Sequence, residues 1–585
     1  MKDFFKFTFA TVLGILIATS LGISILFGIA GALAGASEVP TTVQPKSIYK
    51  LELEGNLIDR SEDDPFSGLL AEAMGQPQDQ TLGLDDVLAN IEKAKNDSNI
   101  VGIYLKCGSF YGGTASIKTI RDALLDFRKS KKFVVAYGDN YSQRMYYLAS
   151  AANKVLVNPQ GMVEFKGLSA ETMFFKNTLE KLGIEIQVIR VGTFKSAVEP
   201  FTSTQMSDSN RLQVKQFIGS IWNNTLKQIS ASRNIKIDSL NAYADRMLMF
   251  APVEKAKEYS LVDSIVYADE VEAILKKLAN IGTDTDLELV SHNSLKKLPS
   301  TAKTDDKKIA VIYAVGSIDV DEEGIQSEQL IETINEVAKD DAIKAVVLRV
   351  NSPGGSAYGS EQIWRAISLL KKKKPVVVSM GDYAASGGYY ISSMADRILA
   401  EPNTITGSIG IFGLIPNIQG FNEKIGVSYD GVTTNKMSDF VSVNRPFRPE
   451  ERNIMQAYVD RGYELFVKRC AEGRKRSVAQ IKAIAEGRVW TGEDALKIGL
   501  VDEIGGLKDA IRIAAKKAKL SSYEVNDYPV KEDFAAKLMK DFGKDIESRV
   551  TKIQLGEHYE LFKQIKNLGK VNGIQARMPY DIVIK

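Results

Sequence analysis

One unit occurs twice in this chain, and that limits what it can fold into more than any other feature. Residues 91–195 align without a gap onto 334–438, each meeting the residue 243 positions later. Ile91, Asp97, Ile100, Leu105 and Ser109 meet Ile334, Asp340, Ile343, Leu348 and Ser352. Further on, Gly138-Asp139 meets Gly381-Asp382, Tyr146-Tyr147 meets Tyr389-Tyr390, and Pro159 meets Pro402. After small insertions the flanks agree as well, 250–263 resembling 490–502. In the second copy 308–315, 344–350, 375–380 and 397–402 read as short β-branched strands, and 358–370 has helical periodicity. Such alternation predicts an α/β domain with a mostly parallel sheet buried on both faces. The expected organisation is a first repeat over 46–282, a polar linker over 283–308 and a second repeat over 309–525. A charged, partly amphipathic extension over 526–585 is expected to pack as helices or to serve assembly.

Duplicated domains keep what folding needs, so their departures point to chemistry. Asp382 leads into Tyr383-Ala384-Ala385-Ser386-Gly387-Gly388, where small residues let a strand turn sharply into a helix with the serine Oγ projecting. The first copy has Gln143 in place of that serine and lacks both glycines. Asn351-Ser352-Pro353-Gly354-Gly355 follows a strand, and Gly354 and Gly355 can present N–H groups to a developing oxyanion. The first copy has Phe110-Tyr111-Gly112 at 353–355.

A serine nucleophile needs a base. The chain has two histidines, His292 in the polar linker and His558 in the C-terminal tail, and neither is a good candidate. Lysine comes next. At a pKa of about 10.4 it is neutral in only about one molecule in 2,500 at pH 7, so a lysine base must be buried beside the serine. Lys195 lies in the apolar setting Val191-Gly192-Thr193-Phe194-Lys195-Ser196-Ala197, and its counterpart in the second copy is Ser438. One copy keeps the nucleophile and the other keeps the lysine. A single site shared between two domains follows.

Other chemistries fit poorly. Two cysteines, Cys107 and Cys470, make no disulfide framework and read as buried free thiols. With so few His and Cys a zinc site is almost excluded, and no cofactor or metal is expected. The net charge of +2 with no basic aromatic stripe argues against nucleic acid, and Lys371–Lys374 reads as a solvated helix end. Residues 7–37 are uncharged and mostly apolar, longer than the roughly 20 residues that cross a bilayer, and follow Lys2 and Lys6. That pattern predicts a retained single-pass transmembrane helix, with the N-terminus cytoplasmic and the body exported. A cleaved signal peptide is the competing reading, since Ala32, Ala34 and Ala36 are small.

The motifs 351–355 (NSPGG), 382–392 (DYAASGGYYIS), 406–413 (TGSIGIFG), 192–201 (GTFKSAVEPF) and 489–502 (VWTGEDALKIGLVD) are jointly specific. On them the chain resembles the signal peptide peptidase A family, also called protease IV, in its long duplicated form, through about residue 520. The resemblance implies tandem crotonase/ClpP-like α/β domains behind the N-terminal helix. It also implies a Ser–Lys dyad of Ser386 and Lys195, and Ser408 as a hydrogen-bond partner of the lysine. Short members of the family hold both dyad residues in one repeat, which makes Lys436, two residues before the Ser438 position, the rival base. Gly354 and Gly355 then supply an oxyanion donor together with the Gly387 N–H. The resemblance further implies a homotetramer on the periplasmic side of a bacterial inner membrane, acting on signal-peptide remnants. Two other readings compete: acyl-CoA chemistry on the same fold, which would use carboxylates, and a membrane-tethered scaffold without activity.

Overall fold

The computed structural model describes residues 42–61, 81–299, 305–321, 324–531 and 574–578, with a few positions of 6–17. The apolar run 7–37 otherwise lies outside the described residues, as does His558. Among the described residues no helix is long and apolar enough to cross a membrane.

The strand Val376–Ala385 shows why the repeats fold as they do. Val376, Val377, Val378 and Met380 are all fully buried, as a strand covered on both faces requires. Side chains alternate across the sheet. Val377, with Val311, Val347 and Leu399, packs under Ala510 and Ala514 of the helix Leu507–Lys517. Val376, Val378 and Met380 face the other way, against the helices Ser327–Lys339, Ala357–Leu370, Gly387–Ser392 and Pro449–Arg474. Each such valine contributes at most about 1.5–3 kcal/mol of burial, so a charge at Val378 would remove that and strand itself in the core.

Two parallel sheets result. The first runs Thr81–Gly83, Ser47–Ile58, Ile100–Tyr111, Phe133–Tyr141, Lys154–Val163, Ser264–Ile265. The second runs Val489–Thr491, Ile405–Gly407, Val376–Ala385, Ile343–Ser352, Lys308–Val315, Glu524–Tyr528, and only its Val489–Thr491 pairing is antiparallel. The duplication is visible element by element: Ile100–Tyr111 answers to Ile343–Ser352, Thr114–Arg128 to Ala357–Leu370, and Phe133–Tyr141 to Val376–Ala385. Both cysteines are buried and free.

A third, antiparallel sheet breaks the symmetry. Glu185–Arg190 of the first repeat pairs with Phe412–Asn417 of the second, which pairs with Ile574–Arg577, which pairs with Gly354–Ser356. At the positions equivalent to Glu185–Arg190, 428–433, there is no strand.

Two expectations change in detail. The segment 283–308 is not a bare linker. Leu289–Ser291 joins the first sheet beside Ser47–Ile58, and the helix His292–Lys297 docks on it. The His292 Nδ1 lies 2.8 Å from the Tyr49 hydroxyl, so polar residues there satisfy buried groups of the first domain. The described parts of 526–585 are strand, not helix: the end of Glu524–Tyr528, and Ile574–Arg577. The rest of that extension lies outside the described residues.

Candidate functional site

Parallel neighbours in a sheet end at the same edge, and three adjacent strands of the second sheet end where the sequence placed its motifs. Ile343–Ser352 leads into Pro353-Gly354-Gly355, Val376–Ala385 into Ser386, and Ile405–Gly407 into Ser408. Topology alone therefore gathers residues more than fifty positions apart.

Ser386 sits between strand and helix with φ +55° and ψ −111°, a conformation that L-residues rarely adopt and that surrounding structure must hold in place. Its N–H donates to the Gly407 carbonyl at 2.8 Å. The neighbouring glycines are there because the space is taken. A Cβ on Gly387 would lie 2.7 Å from the Ser360 Oγ, and one on Gly388 2.5 Å from the Ser352 carbonyl. Gly354, at φ +99°, closes the turn against the elbow, where a Cβ would come within 2.7 Å of the Gly387 nitrogen.

Lys195 arrives from the other repeat. The Glu185–Arg190 strand registers against Phe412–Asn417, and the Val191 N–H continues the ladder onto the Ile411 carbonyl at 3.1 Å. Phe194 N–H then donates to the Glu486 carbonyl at 2.9 Å. Gln213 secures the same loop, its Nε2 donating to Ser196 Oγ at 2.9 Å while its Oε1 accepts from Val489 N–H at 3.2 Å. The lysine stem lies against Gly487, where any side chain would collide with it, and beside Gly410, where a Cβ would lie 3.3 Å from its Cδ.

The result is compact. Lys195 Nζ donates to Ser386 Oγ at 2.9 Å, to Ser408 Oγ at 3.0 Å and to the Ser408 carbonyl at 3.1 Å. Lys195, Ser386 and Ser408 are each 0% exposed. Burial alone holds the lysine pKa well below its ordinary value. An amine in that state can accept a proton from a hydroxyl at hydrogen-bond distance. Lys436 is elsewhere: its side chain is 69% exposed and pairs with Glu450 at 2.8 Å. Gly387 follows the serine directly, and Gly354 packs against that elbow.

Several contributors were not legible in the sequence. Asp382, four residues before the serine, reaches across to the first domain. Its Oδ1 accepts from the Ala115 and Ser116 N–H groups at 2.8 and 3.0 Å, and its Oδ2 accepts from the Ser116 hydroxyl. It thereby caps the helix Thr114–Arg128, which has no side-chain cap of its own. Burial raises its pKa, and the Ser116 hydrogen bonds oppose that. Arg349 and Asp59, 2.8 Å apart and both buried, form a second bridge between the domains. The pair Gly381-Asp382 recurs in both copies and so marked a structural aspartate, but nothing in the sequence named its partner.

The model of peptidase family S49 matches two stretches, 126–282 and 368–521, together more than half of the chain and one in each repeat. The chain belongs to peptidase family S49. Protease 4 of Salmonella typhi is 40% identical over 495 residues, covering 82% of this chain and 79% of that protein. Protease 4 of Haemophilus influenzae is 37% identical, covering 81% and 79%. The chloroplastic serine protease SPPA of Arabidopsis thaliana is 34% identical, covering 75% and 66%. The S49 chain is accordingly a serine protease with a duplicated α/β body, and the acyl-CoA and scaffold readings are set aside.

Proposed function

We propose that Ser386 and Lys195 are the nucleophile and general base of this S49 protease, which cleaves extended peptides by acyl transfer. Neutral Lys195 takes the Ser386 proton as Oγ attacks a peptide carbonyl. The oxyanion leans on the N–H groups of Gly355 and Gly387, and the lysine passes its proton to the leaving amine. Water then hydrolyses the acyl-enzyme with Lys195 again as base. Ser408 orients the amine. The observation that carries this reading is the 2.9 Å contact between Lys195 Nζ and Ser386 Oγ in a site closed to solvent.

The apolar run 7–37 supports a tether that holds the body at the exported face of a membrane. Signal-peptide remnants leaving the bilayer are the substrates that such a position suits. The test uses the purified chain on a fluorogenic peptide amide. Ser386→Ala and Lys195→Ala lose turnover, while Lys436→Ala keeps it. Turnover surviving both of the first two substitutions would sink the dyad.

A further inference from the structure

One short segment of the second domain, Glu486 to Trp490, reaches every member of the site. Gly487 abuts the Lys195 stem, and the Arg488 carbonyl accepts from the Ser408 N–H at 2.7 Å. Trp490 packs on Gly407, where a Cβ would fall 2.8 Å from its Cδ1, and the Gly407 carbonyl is the acceptor of the Ser386 N–H. The same segment receives the loop that brings Lys195 from the first domain. Thr193 of that loop donates to the Glu486 carboxylate from its N–H at 3.0 Å and its hydroxyl at 3.1 Å, both in exposed positions. Beside it the Arg488 guanidinium lies over two rings, 4.9 Å from the centroid of Phe194 and 4.3 Å from that of Trp490. Phe194 belongs to the first repeat and Trp490 to the second.

This contact is the dry part of the join. The Arg488 Nε is buried with no hydrogen-bond partner among the described residues, so the ring faces help to offset its desolvation, while Nη2 reaches Gln216. Phe194, Arg488 and Trp490 are partly exposed, whereas Lys195 beside Phe194 and Ser408 beneath Arg488 are 0% exposed. The three side chains thus mark the boundary between solvent and the base. The described neighbours of the amine carry no charge: Ser386, Ser408 and the Phe412 ring at 5.9 Å. Around the loop the charged groups are engaged elsewhere, Glu486 with Thr193, Glu199 with Ser207 and Asn210, and Arg190 with the Lys195 carbonyl at 3.5 Å. Dryness alone keeps this amine neutral.

We propose that Arg488 is a positioning residue of this protease: lying over Phe194 and Trp490, it fastens the Lys195 loop to the segment that holds Ser408, and keeps water from the lysine amine. The proposal rests on the Ser386–Lys195 reading above. Arg488 acts only through the base. Without its guanidinium, water admitted beside the amine restores the affinity of Lys195 for a proton. At neutral pH the base is then charged and cannot accept a proton from Ser386, and in alkali it is freed again. A merely structural role would lower turnover alike at every pH. Loss of the Arg488 charge would by itself ease protonation of a nearby amine, so the uncharged Phe194 supplies the second variant.

The test is kcat and KM of the purified full chain on a fluorogenic peptide amide from about pH 6 to about pH 9.5, for wild type, Arg488→Ala and Phe194→Ala. Both substitutions should move the acid limb of kcat/KM upward by at least about one pH unit, a loss of at least about tenfold below the limb. The loss should lie in kcat, with KM little changed, and should close towards the alkaline end. A limb that moves less than this in both variants overturns the proposal and leaves the dyad standing. A limb that moves in one variant alone overturns it too: in Arg488→Ala alone it reports a lost charge, and in Phe194→Ala alone a loop that needs no arginine. Turnover that survives both Ser386→Ala and Lys195→Ala sinks the dyad and this proposal together.

Discussion

Replacing Lys195 with methionine should inactivate the enzyme and alter how its stability depends on pH. Methionine approximates the apolar stem that packs against Gly410 and Gly487 and removes the amine. On activity, general-base catalysis typically supplies 10²–10⁴-fold, so kcat/KM should fall by about 3–5 kcal/mol of transition-state stabilisation. On stability, burial lowers the folded-state pKa of this lysine well below its ordinary value, whereas the unfolded chain titrates near 10.4. Between those two values the unfolded chain binds one proton more than the folded one. Wild-type stability therefore rises with pH across that window by about 1.4 kcal/mol per unit, and falls as acid is added. The methionine chain has no such group. Its stability advantage over wild type should shrink by about 1.4 kcal/mol for each unit that pH is raised within the window. The lost hydrogen bonds to Ser386 and Ser408, about 1 kcal/mol each, move the offset and leave the slope alone. Urea unfolding of both chains, followed by tryptophan fluorescence at a series of pH values from about 7 to about 9, measures the slope. A stability difference independent of pH would mean that Lys195 is charged in the fold, and activity within tenfold of wild type would mean that it is not the base. Either result refutes the reasoning. The same depressed pKa sets the acid limb of wild-type kcat/KM, which should disappear only with the lysine.

Gly354→Ala places a methyl group at φ +99°, 2.7 Å from the Gly387 nitrogen, and should lower kcat/KM about 100-fold in the peptide assay with little change in far-UV circular dichroism; wild-type kinetics would show that the strip is not part of the site. Asp382→Ala leaves the Ala115 and Ser116 donors unanswered at the domain interface and should cost about 2–3 kcal/mol in urea unfolding. Burial raises the Asp382 pKa, so the stability it contributes is complete below the unfolded carboxylate pKa and is lost as pH rises through the folded one. Asp382→Asn should abolish that slope, and an unchanged slope would assign it to another group.

Local pattern carried much of this protein. Short β-branched runs predicted the strands at 308–315, 344–350 and 375–380, and each overlaps an observed strand because its residues face cores on both sides of the sheet. The glycines around Ser386 were legible because crowding at a turn selects for the missing Cβ, whatever is packed there. The strand Ile574–Arg577 was not legible. Its pairing depends on free edges offered by distant segments, and a charged, mixed stretch looks the same whether or not such an edge waits for it. Ser116 was missed for a related reason: a helix cap supplied from another domain leaves no local signature.

The sequence by itself determined that two copies of one α/β unit exist, and that one kept a serine and the other a lysine. Reciprocal loss at aligned positions is information that duplication writes directly into the chain. Only the tertiary structure decided that these two groups, 191 residues apart, come within 2.9 Å, and that Lys436 stays in water while Lys195 is dry. A lysine's proton affinity is set by what surrounds its amine. That surrounding is assembled from Gly487, Gly410, Ser408 and Ser386 of the opposite domain, through strand edges that meet only in the folded chain.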